Sequence, residues 1–224
     1  MEEWQKIAEG NTAEIFRIDH EKVAKLFKSG YSKNAVRDEY KNHCAVCVMI
    51  DSVPQIYEYI EENGRFGYIM ENIQGESLAS IILNESTFEA AMDLFARIHK
   101  NWLTMCSKEV TLYTDWMLRV LNGKTVDRDL LRRIRNLPEG NTLCHGDFHP
   151  YNILITPENK PVVIDFANIC RGPKEYDIAR TYFLMKEAVT DKPIAEIYLS
   201  KMQKRYEDIQ EYVEVLRSFR RYEI

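Results

Sequence analysis

Asp147, Asn152 and Asp165 are the residues whose types and spacing carry chemistry. The first two stand in His145-Gly146-Asp147-Phe148-His149-Pro150-Tyr151-Asn152-Ile153-Leu154-Ile155, and the third ends Val162-Val163-Ile164-Asp165-Phe166. A turn followed by a hairpin would bring the three side chains to one rim. There Asp147 can orient an attacking hydroxyl or accept its proton. Asn152 and Asp165 supply hard oxygen ligands suited to Mg²⁺ bridging nucleotide phosphates. Together they make an apparatus for phosphoryl transfer. Gly, Asp, Asn and Pro also favour turns for local reasons, so any one of them alone would read as turn chemistry; the ordered set reads as a site.

The elements that must position this set follow from apolar periodicity. Strands are expected over Trp4 to Ala8, Ile15 to Asp19 and Val23 to Phe27, with Gly10-Asn11 and Asp19-His20 as turns. Ser32 can cap a helix through Val36, Tyr40, Ala45 and Val48. Two Ile- and Tyr-rich strands follow, Gln55 to Glu61 and Phe66 to Glu71, joined at Asn63-Gly64. After Gly75 the period becomes helical. Phe88, Ala91, Met92, Phe95, Ile98 and Trp102 recur at helical spacing behind Ser86 or Thr87 as cap, with shorter helices at Tyr113 to Leu121 and Val126 to Leu137. Strands Asn152 to Thr156 and Pro161 to Asp165 form a hairpin, and helices run from Glu175 to Val189 and from Ile194 onward. Within the last, Lys201 to Glu223 reads as one amphipathic helix packed through Met202, Tyr206, Ile209, Tyr212, Val213 and Leu216.

Composition narrows the partners. The 224 residues carry 30 Lys and Arg against 35 Asp and Glu, a net charge of -5. That balance argues against nucleic acid held through phosphate contacts. No apolar run approaches the ~20 residues that span a bilayer, and Met1-Glu2-Glu3-Trp4 lacks the pattern of a signal peptide. Five scattered Cys read as reduced thiols. A cytoplasmic protein without membrane or nucleic-acid partners is expected, with a monomer the favoured state. Cys44-x-x-Cys47 has no second pair at zinc-like spacing and reads as helix packing. Trp102, Tyr113, Asp115 and Trp116 could wall a cationic substrate, but core and cap positions are the preferred reading.

The H-G-D-x-x-x-x-N loop followed by a strand ending I-D-F resembles the catalytic core of the aminoglycoside phosphotransferase and choline kinase family, relatives of the protein kinases. His145, Gly146, Asp147, Asn152 and Asp165 match it position for position. The resemblance spans roughly Glu9 to Thr181. It implies an α+β, bilobal protein-kinase-like fold: a small antiparallel sheet with one inserted helix over residues 1–72, binding nucleotide, and a mainly helical catalytic and substrate-binding lobe over 73–224. It implies Lys25 on the third strand, reaching the nucleotide phosphates and paired with Glu39 of the helix, with Asp38 the alternative partner. Glu9-Gly10-Asn11-Thr12-Ala13-Glu14 falls at the family's phosphate-covering loop. Backbone groups of Asn11 and Thr12 would touch phosphate there, although the stretch reads equally as a hairpin turn. Glu71 and Ile73 fall in the adenine-binding connector. Asp177, in a D-x-A-R pattern, would support the catalytic loop, and His145 would anchor it.

The implied activity is Mg²⁺-dependent transfer of the γ-phosphoryl group of ATP, or GTP, to a hydroxyl of a small molecule such as an aminoglycoside, amino alcohol or sugar. A compact atypical protein kinase and a nucleotide-binding module without turnover are the alternatives. Ala167 stands where the protein kinases have the glycine of D-F-G, a position that varies in this family. Only Tyr182 to Ile224 follows the matching core, a short allowance for the helical region that builds the acceptor pocket in many antibiotic-modifying members.

Overall fold

The computed structural model describes residues 4–188 and 192–223. The chain forms two compact units: residues up to Ser77 with Ile153–Ala167, and Leu78–Asn152 with the residues from Asn168 on.

The first unit is built on a five-stranded antiparallel sheet. Its strands are β1 (Gln5–Glu9), β2 (Ala13–Arg17), β3 (Lys22–Phe27), β4 (Ile56–Glu62) and β5 (Arg65–Glu71), in the order β1-β2-β3-β5-β4. Register puts Lys25 of β3 between Ile15 of β2 and Tyr68 of β5. The Asn63-Gly64 turn has φ of 53° and 74°, the left-handed pair that a tight hairpin requires. Between β3 and β4 runs α1 (Lys33–Cys47), whose N-cap Ser32 accepts the N–H of Ala35. Its Val36 is fully buried in a core with Ala13, Phe27 and Tyr68, against which Tyr40, Ile56, Tyr59, Phe66 and Met70 pack.

The same unit holds a second sheet, β6 (Glu76–Ser77), β8 (Ile153–Ile155) and β9 (Pro161–Val163), in the order β6-β8-β9. The hairpin that delivers Asp165 therefore belongs with the first unit, whereas a division at residue 72 would leave it in the second lobe. The cause is backbone pairing: Glu76 and Ser77 pair with Ile155 and Leu154, and the N–H of Val163 donates to Ser52.

The second unit contains α2 (Leu78–Leu83), α3 (Phe88–Trp102), α4 (Tyr113–Leu121) and α5 (Arg128–Asn136). It also contains a two-stranded sheet of β7 (Thr142–Cys144) and β10 (Cys170–Gly172), then α6 (Lys174–Glu187), α7 (Ile194–Lys201) and α8 (Gln210–Phe219). Nine residues of α6, from Tyr176 to Met185, are buried; α7, α8 and β7 pack around it, so its polar members Asp177, Arg180 and Thr181 lie inside.

The expected continuous helix over Lys201 to Glu223 does not form. Gln203 takes a left-handed φ of 57°, a 3₁₀ turn follows at Tyr206–Asp208, and only α8 is regular before a second 3₁₀ turn at Arg220–Tyr222. Asp208 explains the restart, because its carboxylate accepts the N–H of Arg205. Thr87 sits at the start of α3, but its hydroxyl donates to the carbonyl of Ile81 instead of capping. The end expected at Val189 lies outside the described residues. Among the described residues, no helix is long and apolar enough to cross a membrane.

Candidate functional site

In the first unit, β3 carries Lys25 with its Nζ 2.6 Å from Oε1 of Glu39 and 3.3 Å from Oδ1 of Asp165. The Tyr68 hydroxyl, brought opposite by the β3–β5 register, donates to the same Glu39 oxygen at 2.7 Å. Lys25 and Glu39 are both buried. Burial works against the ammonium charge, but Tyr68, Glu39 and Asp165 outweigh it and hold Lys25 well above the usual lysine range. Burial, reinforced by the Glu39 charge, pushes the Tyr68 phenol well up, so it stays a donor. Glu39, rather than its neighbour Asp38, takes the lysine.

Asp165 has a left-handed φ of 67°. That conformation is uncommon for a side chain other than glycine, and Asn and Asp are among those that tolerate it. Phe166 follows, packed edge-on to His43 with ring centres 4.7 Å apart. His43 is pinned by a 2.7 Å hydrogen bond to the carbonyl of Pro54. Burial drives its pKa down to about 4, so the neutral ring donates. Cys47, on the same helix, donates its thiol to the same carbonyl.

Asn11 and Thr12 lie at the exposed turn between β1 and β2, closed by the Gly10 N–H on the Ala13 carbonyl. At the other end of the sheet, the N–H of Glu71 donates to Gln55 and that of Asn72 to Glu21, and Ile73 beyond them is half-buried. The Glu71 N–H is thus engaged within the unit.

In the second unit, the loop after β7 carries Asp147. Asn152, in the 3₁₀ turn Pro150–Asn152, donates its amide to the Asp147 carbonyl at 2.9 Å and to its carboxylate at 3.3 Å. His149 stands 3.6 Å from that carboxylate. Burial alone would raise the Asp147 pKa, but His149, His145 and Arg180 outweigh it and draw it down to about 2. Asp147 is an anion at any physiological pH.

The loop is held from beneath. Asp177 of α6 accepts the N–H of His145 at 2.9 Å and of Gly146 at 2.8 Å. Its carboxylate also meets Nε2 of His99, whose other nitrogen meets the Tyr198 hydroxyl at 2.7 Å. Arg180 Nε donates to the Gly146 carbonyl. Phe148, 1% exposed, stacks on His99 with ring centres 4.0 Å apart. Gly146 has φ of 74°, and a Cβ there would lie 2.3 Å from the Asn168 carbonyl oxygen, so only glycine fits.

His145 and Asp177 were legible from the motif; His99, Tyr198, Tyr68 and Arg180 were not read as site residues. His99 lies four residues after Phe95 on the buried face of α3, and a histidine on an apolar stripe is the signal that could have found it. Trp102 and Tyr113 are buried, and Trp116 packs on Phe219, which makes these aromatics core positions.

A divalent cation can be tested against these donors. The Asn152 amide nitrogen is spent on Asp147, which leaves its carbonyl oxygen as the ligating atom. The Asp165 carboxylate is 41% exposed. Among the described residues no group of three His, Cys, Asp or Glu gathers as an all-protein cage. A hard oxygen donor that leaves room for phosphates and water suits Mg²⁺, so Asn152 in the second unit and Asp165 in the first each fit that ion by donor type.

The model of the phosphotransferase enzyme family matches residues 3–207. Solved structures share the fold. A thermostable mutant of aminoglycoside phosphotransferase APH(4)-Ia in its apo form has a TM-score of 0.73 at 14% identity, over 99% of this chain and 86% of that one. Aminoglycoside-3'-phosphotransferase of type VIII has a TM-score of 0.68 at 16% identity, over 97% of this chain and 93% of that one. A ternary complex of an APH(4)-Ia mutant with AMP-PNP and hygromycin B has a TM-score of 0.71 at 15% identity, over 99% of this chain and 86% of that one. None of the curated proteins matches the sequence.

Proposed function

Because the chain belongs to the phosphotransferase enzyme family, we propose that it transfers the γ-phosphoryl group of ATP, or GTP, to a hydroxyl of a small molecule. The observation that carries this reading is the pairing of an ionised Asp147 with Asn152 on a loop anchored by Asp177. The acceptor class is an aminoglycoside, an amino alcohol or a sugar. Structural relatives complexed with nucleotide and aminoglycoside support the nucleotide and the small hydroxyl-bearing acceptor.

In this reading residues 1–72 form the nucleotide-binding lobe and 73–224 the catalytic and substrate-binding lobe, except that β6 and the Asp165 hairpin pack with the first. Lys25, steadied by Glu39 and Tyr68, holds nucleotide phosphate oxygens. Backbone groups of Asn11 and Thr12 cover them, and those of Glu71 and Ile73 meet the base. Asn152 and Asp165 would hold Mg²⁺, which when bound would offset the charge of the phosphate oxygens. Asp147 accepts the hydrogen bond of the acceptor hydroxyl and aims its oxygen at the γ-phosphorus. The new P–O bond forms as the bond to the β,γ-bridging oxygen breaks, and the nucleoside diphosphate leaves with that electron pair. A carboxylate with a pKa near 2 is a weak base, so it orients the hydroxyl, and the proton departs late to Asp147 or solvent. A loose transition state needs no stronger base.

A protein substrate is disfavoured by the chain between Asp165 and α6. Residues 166–173 hold only a short turn and β10, which pairs with β7, leaving no length for a peptide-docking segment.

The test is transfer of label from γ-labelled ATP or GTP with Mg²⁺ to a panel of aminoglycosides, amino alcohols and sugars, with Asp147→Asn as control. Label on one acceptor, lost in the variant, is expected. No transfer to any acceptor or to water would overturn the reading.

A further inference from the structure

Arg180, three residues after Asp177 on α6, is 3% exposed. Nε serves the Gly146 carbonyl, one residue before Asp147. One Nη lies 2.7 Å from Oε1 of Glu223. The Trp116 ring covers the guanidinium at 5.2 Å. The other terminal nitrogen, Nη1, is buried and without a hydrogen-bond partner among the described residues. Glu223 is half-buried with its side chain 9% exposed, and its second oxygen meets Arg220 at 3.3 Å. The Arg220–Glu223 segment has its own anchor, the Lys124 ammonium on the Tyr222 carbonyl.

A buried guanidinium demands a carboxylate, because removing one partner of a buried pair leaves an uncompensated charge. Arg180 has two within its field. Glu223 is bonded to it, and Asp147 is the residue that follows the Gly146 carbonyl held by its Nε. The spare Nη1 donor could serve a second carboxylate. We propose that Glu223 is a positioning residue for phosphoryl transfer: by occupying Arg180 it keeps the guanidinium on the Gly146 carbonyl and off the Asp147 carboxylate. Asp147 is then left to the acceptor hydroxyl. Without Glu223, Arg180 turns to Asp147, pulls the loop off register and occupies the oxygen that the hydroxyl needs. The inference rests on the phosphotransfer reading for its kinetic arm alone.

The experiment compares wild type, Glu223→Gln, Glu223→Asp and Lys124→Met in kcat, nucleotide KM and backbone amide exchange at Gly146 and Asp147. Glu223→Gln keeps size and loses charge. It should lower kcat about tenfold, leave nucleotide KM within about twofold, and speed exchange at both amides about tenfold. Glu223→Asp restores the charge and should recover most of both. Lys124→Met loosens the same segment without touching the Arg180 charge and should change neither. Wild-type kcat and exchange in Glu223→Gln would overturn the proposal, as would an equal loss in Lys124→Met. If wild type shows no turnover, the functional reading fails, and amide exchange still decides whether Glu223 holds the loop.

Discussion

Asp177 takes the N–H of His145 at 2.9 Å and of Gly146 at 2.8 Å from a position that is fully buried, so one carboxylate holds two N–H groups of the loop bearing Asp147. Burial alone would raise the Asp177 pKa, but His99 and the loop N–H groups outweigh it and hold it low. Asp177→Asn keeps the volume and replaces one acceptor oxygen by a donor facing the N–H groups of the loop. It should cost about 3 kcal/mol, the scale for breaking a buried ionic contact, and reduce turnover with it. Urea unfolding at pH 7 measures the first and the transfer rate the second; an unchanged midpoint would contradict this account of the loop.

Gly146→Ala tests the backbone of the same loop. The added methyl must displace the Asn168 carbonyl and occupy a left-handed φ, each costing on the order of 1–3 kcal/mol. The expected outcome is a lower urea midpoint with turnover reduced at least as much as after loss of Asp177. Gly123→Ala, where a Cβ meets open space, should cost less, since only φ is strained there.

The pH dependence of stability should carry the signature of His43. Its pKa falls from 6.5 to about 4 on folding because burial penalises the charged ring. The unfolded chain therefore binds the proton more readily, and stability falls as pH drops through 6.5 toward 4. The loss between pH 7.5 and pH 5 is about 2 kcal/mol. Urea midpoints at the two pH values should differ less in His43→Gln than in wild type; equal differences would refute the assignment.

Glu39→Gln probes the nucleotide side. Lys25 keeps Asp165 as a partner but loses the carboxylate at 2.6 Å, so its ammonium is no longer fixed. Nucleotide affinity should weaken about tenfold, read by titration of ATP-Mg²⁺, while the residual turnover at saturation falls less. Wild-type affinity in the variant would show that the pair is structural only.

The residues proposed to carry the chemistry were legible because the motif is local. Asp147, Asn152 and Asp165, two residues past the end of β9, are spaced by a turn and a hairpin, and such spacing survives in one sequence. Lys25 and Glu39 needed only strand order and a helical register. What escaped is held by distant partners. His99 meets Asp177 across 78 positions, and Glu223 meets Arg180 from a segment that reads as a plain amphipathic helix. That segment breaks at Gln203 for a backbone reason, a left-handed φ, which apolar spacing does not report. The hairpin before Asp165 pairs in the first unit with the two residues of β6, Glu76 and Ser77, too short a strand for any periodicity to reveal.

The central claim is that Lys25 with Asp165 and Asp147 with Asn152 serve one Mg²⁺-nucleotide reaction in separable roles. Nucleotide affinity, with and without Mg²⁺, and single-turnover transfer rate in wild type, Asp165→Ala and Asp147→Asn test it most directly. Asp165→Ala should lose the Mg²⁺-dependent part of nucleotide affinity. Asp147→Asn should bind nucleotide as wild type does and transfer at least about a hundredfold more slowly. Mg²⁺-independent binding in wild type, or unchanged transfer in Asp147→Asn, would contradict the account.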